Sequence, residues 1–201
     1  MGKIKFTKTE LKKQQDAKKQ FERFLPTLQL KKQQLQMEVR RSVEKLEANA
    51  RELAAFEAKL AAFVELFGPE ADARFVRSLV AVERVKRGEL NIAGITVPTF
   101  EGVDFKPVKI DLMTTDWYVD DAIIAVKTAV ELREAKRVLE ERCALLNAEL
   151  VSTSQRVNLF EKVKIPECKE NIRRIGIMLG DANTSAVARC KIAKKKSTPA
   201  A

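Results

Sequence analysis

The residue types that most enzymes use for catalysis are absent from this sequence or poorly placed for it. The chain has no histidine, so no Ser-His or Cys-His pair can form, and it contains neither a GxxxxGK[ST] nor a GxSxG motif. Adjacent carboxylates such as Glu140 and Glu141 would point apart on a helix, so we interpret them as solvated surface residues. The sequence therefore predicts a protein without catalytic residues, cofactor or metal site.

The cysteines indicate no metal or redox chemistry. Cys143, Cys168 and Cys190 are odd in number and form no CxxC pair, so we expect structural residues on helices. No apolar run approaches the roughly 18 residues that a membrane span needs. The N-terminal segment also lacks the apolar core of a signal peptide. Together these features predict a cytoplasmic protein.

Basic charge at the two chain ends is the remaining chemical feature. The 201 residues carry a net charge of +10. Residues 1–25 hold eight basic residues against three acidic ones and residues 181–201 hold five against one, whereas residues 100–121 hold two against six. Such ends could bind nucleic acid or an acidic protein surface. No aromatic residue is interleaved with the C-terminal basic run, which disfavours base stacking; that run contains Arg189, Lys191, Lys194, Lys195 and Lys196.

A long helix is predicted for residues 1–67. Thr7 and Glu10 have the spacing of a capping box, and "FGPE" supplies an end signal. Apolar residues three and four apart predict a coiled-coil seam, with an eleven-residue step in which Val43 belongs to the seam. Pro26 is expected to kink this helix or split off its first turns.

A second long helix is predicted for residues 119–188. Its seam includes Leu139, Leu146 and Leu150, and Pro166 is expected to bend it. At ~1.5 Å per residue each helix would be about 90–100 Å long, which exceeds any small globule. The two helices should therefore pair antiparallel and bring both termini to one end. Residues 189–201 are predicted to be a basic flexible tail.

Residues 68–118 form the predicted connection. A short helix is expected from Pro69 to Arg87, closed by Gly88. "NIAGITVP", residues 91–98, alternates like a β-strand, and Glu101-Gly102 is a plausible turn to a second strand. The predicted fold class is thus mainly α: a long antiparallel two-helix coiled coil with a short helix and a small β-hairpin at its connecting end.

Three ordered stretches resemble the D subunits of the vacuolar/archaeal-type rotary ATPases, which form the central rotor stalk, in a bacterial branch. "FTKTEL" followed by "LQLKKQQLQMEV" is similar to the family's N-terminal pattern, "NIAGITVP" to its strand, and "RVNLFEKVKIP" to its last helix. The matching positions are Thr7, Lys8, Glu10, Leu11, Asn91, Ile92, Gly94, Val97, Pro98, Arg156, Val157, Asn158, Glu161, Ile165 and Pro166.

The resemblance implies a function without catalytic residues. The paired termini would enter the cavity of a hexamer of A and B subunits and transmit torque between ATP turnover and proton or sodium transport. Other parts would bind the F subunit and the C/d subunit, which docks on the membrane side. The chain would be peripheral to the membrane on its cytoplasmic side, without inserting into it or binding nucleic acid. The expected partner interface comprises Asn91, Ile92, Gly94, Val97 and Pro98 of the strand together with the C-terminal basic residues Arg189, Lys191, Lys194, Lys195 and Lys196.

Two other protein classes fit part of the pattern. A prefoldin-like chaperone is also a helical hairpin with central strands, but it presents apolar tips to clients, and the predicted tip here is basic. A nucleic-acid-binding coiled-coil protein would explain the net charge and would bind with a steep salt dependence.

Overall fold

The structure is a computed structural model that describes residues 5–64, 80–107 and 119–197, without the side chains of residues 62–64. Long helices and one antiparallel pair of strands confirm the predicted fold class. The described elements are helix α1 (Lys8–Val64), strands β1 (Val82–Ile92) and β2 (Ile95–Phe105), helix α2 (Val119–Asn158), a π-helical segment (Leu159–Lys164) and helix α3 (Ile165–Ser197).

The chain divides into two compact units, and α1 and α2 contribute to both. Unit 1 comprises Met1–Lys32 and Ser152–Ala201, and unit 2 comprises Gln33–Val151. Helix α1 does not end at Pro26, which lies inside it.

Unit 1 contains an antiparallel helix pair. The rings of Phe21 and Phe160 lie 5.1 Å apart, and Asn171 Nδ2 donates a hydrogen bond to Gln14 Oε1 at 3.5 Å. Residue numbers thus fall along one helix as they rise along the other. Helices α2 and α3 contribute the C-terminal half of this pair, and their buried side chains recur mostly three, four and seven residues apart, as helix packing requires. These side chains are Thr153, Val157, Ile165, Cys168 and Ile175.

The predicted capping box at the start of α1 would have two hydrogen bonds, and the structure has one of them. The Glu10 backbone N–H donates to Thr7 Oγ1 at 3.2 Å, so one of the helix's first unpaired donors is satisfied. The Glu10 carboxylate does not return to the Thr7 backbone; it accepts a hydrogen bond from Gln14 Nε2 at 2.9 Å.

A π-helical segment lies directly before Pro166. Ile165 N–H donates to Phe160 O, five residues back, which is the π-helical pattern. Proline lacks a backbone N–H and crowds the preceding turn, so the α-helical pattern is interrupted at this point. The sequence predicts a bend at Pro166, and the structure has a π-helical segment directly before that residue.

The core of unit 2 joins the hairpin to both helices. Leu35 of α1, Val97 of β2 and Leu146 of α2 are each fully buried and contact one another, with Ile92 and Leu150 packed around them. A second cluster is formed where Val80 meets Val119 and Ile123. Glu57 forms an ion pair with Arg133 at 2.8 Å, whereas Leu35 contacts Leu146, so α1 and α2 are antiparallel here too.

The hairpin turns within "NIAGITVP", so this stretch is not one strand as predicted. Ala93 and Gly94 form a two-residue turn with φ of 51° and 85°, and the Gly94 N–H donates to Asn91 Oδ1 at 3.0 Å. Glu101 and Gly102 are not the turn either: Lys86 pairs with Gly102 and Arg87 with Phe100, so Glu101 is the extra residue of a β-bulge.

The predicted short helix is wrong at its C-terminal end. Residues 82–87 belong to β1, and Gly88 does not close a helix but pairs with Thr99 inside the sheet. Val82 and Val85 fit a helical pattern, yet β-branched residues favour strands and β2 supplies the hydrogen-bonding partner. Most of the remainder of that predicted helix, residues 69–79, lies outside the described residues.

Two further differences concern the helices. Val43 is 37 % exposed whereas Ser42 is fully buried, so the seam of α1 does not take the predicted eleven-residue step. It keeps a seven-residue spacing through Leu35, Ser42 and Asn49. The sequence also predicts a flexible tail from residue 189, but α3 continues to Ser197.

Candidate partner-binding surfaces

The hairpin lies along α2 and is held at several points. Arg87 Nη1 of β1 contacts Glu141 Oε2 of α2 at 3.2 Å, and Lys127 Nζ lies 5.7 Å from the centre of the Phe105 ring. Together with the contact between Val97 and Leu146, these link the hairpin to about five turns of the same helix. The hairpin is therefore a fixed part of unit 2 and not a free arm.

The strand register divides the predicted hairpin residues between two faces. Ile92 and Val97 belong to the cluster with Leu35 and Leu146, so they face the helices. Side chains alternate along a strand, and paired residues share a face. Asn91, which pairs with Thr96, and Pro98, which pairs with Glu89, therefore lie on the outer face. We call the residues Glu89, Asn91, Thr96 and Pro98 the outer hairpin face.

The five predicted basic residues lie together in the last turns of α3. All of them are exposed: Arg189, Lys191, Lys194, Lys195 and Lys196. Consecutive residues of an α-helix are rotated by about 100°, so Lys194–Lys196 point around the helix rather than to one side. We call this segment the basic end of α3. It belongs to unit 1, whereas the hairpin belongs to unit 2.

Charge is divided sharply between the two units. The residues of unit 1 hold 21 Lys and Arg against 7 Asp and Glu, a net charge of +14. Those of unit 2 hold 17 against 21, a net charge of −4. The sequence predicts basic termini, but the positive charge extends further, through Lys162, Lys164 and Lys169 near the π-helical segment.

One carboxylate of unit 1 is closely paired. Glu170 accepts hydrogen bonds from Arg173 Nε at 3.0 Å and from Arg174 Nε at 2.9 Å. The hydrogen bonds from Arg173 and then Arg174 lower the pKa of the Glu170 carboxyl to about 2. All three side chains are largely exposed.

The buried cysteines have inert thiols. Burial raises the pKa of the Cys143 thiol and that of the Cys168 thiol, which disfavours the nucleophilic thiolate. Over the described ranges, no three Cys, Asp or Glu side chains are grouped so that they could hold a metal ion. In that same part of the chain no helix is long and apolar enough to cross a membrane.

Comparison with known proteins covers almost the whole chain. Residues 10–195 match the model of the family described as the D subunit of ATP synthase. The V-type ATP synthase D subunit of Borreliella burgdorferi is 41 % identical over 194 residues, which is 96 % of this chain and 95 % of that protein. The protein of the same name from Chlamydia muridarum is 34 % identical over 199 residues, which is 96 % of this chain and 95 % of that protein. The one from Chlamydia pneumoniae is 33 % identical over 194 residues, which is 96 % of this chain and 92 % of that protein.

Proposed function

The chain belongs to the family of ATP synthase D subunits and is the central-stalk rotor subunit of a V-type ATP synthase, and from this premise we propose which of its surfaces meet which partners. Torque reaches such a rotor through contacts that must hold it without locking it in one position. Exposed charge pairs suit this need, because each contributes only about 0–1 kcal/mol.

Unit 1 is the part that enters the cavity of the A and B hexamer. The observation that carries this proposal is the division of charge, +14 in unit 1 against −4 in unit 2. A cavity lined by acidic and polar side chains would attract such a unit at long range and would still let it turn. The basic end of α3, from Arg189 to Lys196, is the proposed contact segment.

The outer hairpin face is the proposed site for the F subunit or for the C/d subunit that docks on the membrane side. Asn91 and Gly94 are exposed at the tip, and Pro98 is half-buried. Val97 is fully buried and Ile92 packs on the same cluster, so these two residues contribute by holding the hairpin in place.

The rotor protein itself is non-catalytic and needs no cofactor. The cysteine thiols with raised pKa values and the lack of histidine support this proposal. It acts on the cytoplasmic side of the membrane as a peripheral part of the complex. Neither nucleic acid nor the bilayer is a proposed partner.

A pull-down of the tagged full-length chain from its native lysate, with mass spectrometry of the bound proteins, tests the assignment of partners. We expect A, B and F subunits of the ATPase. Nucleic acid or unfolded client proteins in their place, without any ATPase component, would support one of the two other classes and contradict the proposal.

The hairpin site needs a variant that keeps the fold. Thr96→Arg places a bulky charge on the outer hairpin face without touching the buried cluster. We expect weaker binding of the purified F or C/d subunits, or an altered ATPase rate of the reconstituted complex. Ala54→Arg on the exposed side of α1 is the matched control. If both variants bind both partners and turn over like the wild type, the hairpin only closes the helix connection.

A further inference from the structure

The seam between α1 and α2 in unit 2 contains a sparsely hydrated ion pair. Arg142 Nη2 lies 3.7 Å from Glu38 Oε2, and the side chains of Arg142 and Glu38 are 10 % and 22 % exposed. The pair lies one turn from the contact between Leu35 and Leu146, which is fully buried. It therefore belongs to the packed interface between the helices. Glu38 Oε1 also accepts a hydrogen bond from the exposed Arg41 Nη1 at 2.8 Å, so Glu38 has one partner across the seam and one on its own helix.

Polar groups of this seam are buried without partners. Ser42 Oγ, Asn49 Oδ1 and Arg142 Nε have no hydrogen-bond partner among the described residues. Ser42 and Asn49 follow Leu35 at intervals of seven, so they occupy seam positions where a leucine would pack better. Unsatisfied buried groups reduce stability. Polar seam residues in helix pairs are best known for selecting one alignment.

The sequence on both sides of the ion pair opposes a shifted alignment. The residues seven positions before and after Glu38 on α1 are Lys31 and Lys45. A slip of α1 by one heptad, about 10 Å, would replace Glu38 by one of these lysines opposite Arg142. In the direction that brings Lys45 to Arg142, Glu38 would also meet Glu149. Like charges inside a poorly hydrated seam repel strongly.

We propose that the Glu38–Arg142 pair sets the register of α1 against α2. Some leucines recur at seven-residue spacing, as Leu28 and Leu35 do on α1 and Leu139 and Leu146 on α2, so their packing alone discriminates weakly between these registers. Glu38 makes the observed register attractive, and the flanking lysines make the neighbouring registers repulsive. A fixed register matters in a protein that is turned, because a slip would change every side chain that the paired helices present to their partners.

Charge reversal in the full-length chain tests this proposal. Glu38→Lys places a cation opposite Arg142 in the observed register. The readout is the methyl nuclear Overhauser effect between Leu35 and Leu146, which contact each other only in that register. We expect this cross-peak to disappear, or a second set of cross-peaks from a shifted register to appear beside it. The melting temperature should also fall. Glu44→Lys, the same change at an exposed position of α1, is the matched control and should alter neither.

The swapped pair separates register from general damage. In the double variant Glu38→Lys with Arg142→Glu, the attraction returns with its signs exchanged, so the cross-peak and the melting temperature should recover. If Glu38→Lys keeps one wild-type set of cross-peaks and an unchanged melting temperature, the apolar cluster alone sets the register and the proposal is wrong. If Glu38→Lys unfolds the chain and the swap does not restore it, the proposal is also overturned.

Discussion

Ala93 has a backbone conformation that alanine seldom adopts. Its φ of 51°, followed by Gly94 at 85°, matches a hairpin turn that favours Asn-Gly. We predict that Ala93→Asn raises the free energy of unfolding by up to about 1 kcal/mol, because asparagine tolerates the left-handed region better. Urea denaturation measures the change. A lower stability would mean that the packing of the Ala93 methyl on the cluster around Leu146 outweighs the backbone strain.

Ser42 has a hydroxyl that is fully buried and unpaired. Ser42→Ala removes that group and keeps the size of the side chain. We predict equal or greater stability, by up to about 1 kcal/mol, because the desolvated hydroxyl no longer opposes folding. The same substitution at exposed Ser185 should change nothing and serves as the control. A clear loss of stability after Ser42→Ala would show that the hydroxyl is paired in solution.

Glu170 should titrate far below the ordinary range of a glutamate. Its pKa of about 2 lies below the ordinary value, so the ionised form is favoured in the folded chain. Its stabilising contribution is present above the ordinary pKa of about 4.3 and is lost as the pH falls through about 2. Carboxyl ¹³C NMR should find Glu170 still ionised at pH 3. Replacing Arg173 and Arg174 by Gln should raise its pKa toward the ordinary value of about 4.3; an unchanged titration would contradict the stated cause.

At the scale of elements, apolar spacing predicts the two long helices well and their details poorly. Thr7 and the apolar repeats are local signals, so the start of α1 could be predicted from the sequence. Val82 and Val85 fit a helix as well as a strand, and only the pairing with β2 decides between them. A buried serine gives no hydrophobic signal, which is why Val43 rather than Ser42 is predicted for the seam.

The same limit applies to the candidate site. The basic residues of α3 can be predicted from composition, because exposed lysines need no tertiary partner. Val97 cannot be separated from Asn91 by sequence alone, since the face that each occupies depends on where the turn lies. The turn at Ala93-Gly94 sets Val97 toward the helices and Asn91 away from them.

The attachment of the hairpin to the helices gives a prediction at this scale. Leu146 is fully buried against Leu35 and Val97, whereas its neighbour Leu145 is 41 % exposed. We predict that Leu146→Ala lowers the free energy of unfolding by about 2–5 kcal/mol, since it leaves a cavity in the cluster. Leu145→Ala should cost clearly less. Amide exchange should accelerate in β2 of the Leu146 variant; equal protection in both variants would show that the hairpin does not depend on this cluster.

At the scale of the whole molecule, charge separates two parts of one chain. Helices α1 and α2 each run through both units, so secondary structure alone does not distinguish unit 1 from unit 2. The counts of 21 basic and 7 acidic residues in unit 1 provide that distinction. Partners that recognise charge would therefore select unit 1, and partners that recognise the hairpin would select unit 2.

This separation of charge predicts that salt weakens the binding made through unit 1. Binding of the full-length chain to an A and B hexamer should weaken steeply between about 50 and 300 mM NaCl, because the Debye length shortens from about 14 to 6 Å. The triple variant in which Lys194, Lys195 and Lys196 become Gln should bind more weakly at low salt and show a shallower dependence. The matched triple of exposed lysines in unit 2, Lys59, Lys86 and Lys106 to Gln, should keep the wild-type dependence. If the two triple variants lose affinity equally, net charge rather than the basic end of α3 governs the association, and the contact proposed for unit 1 fails.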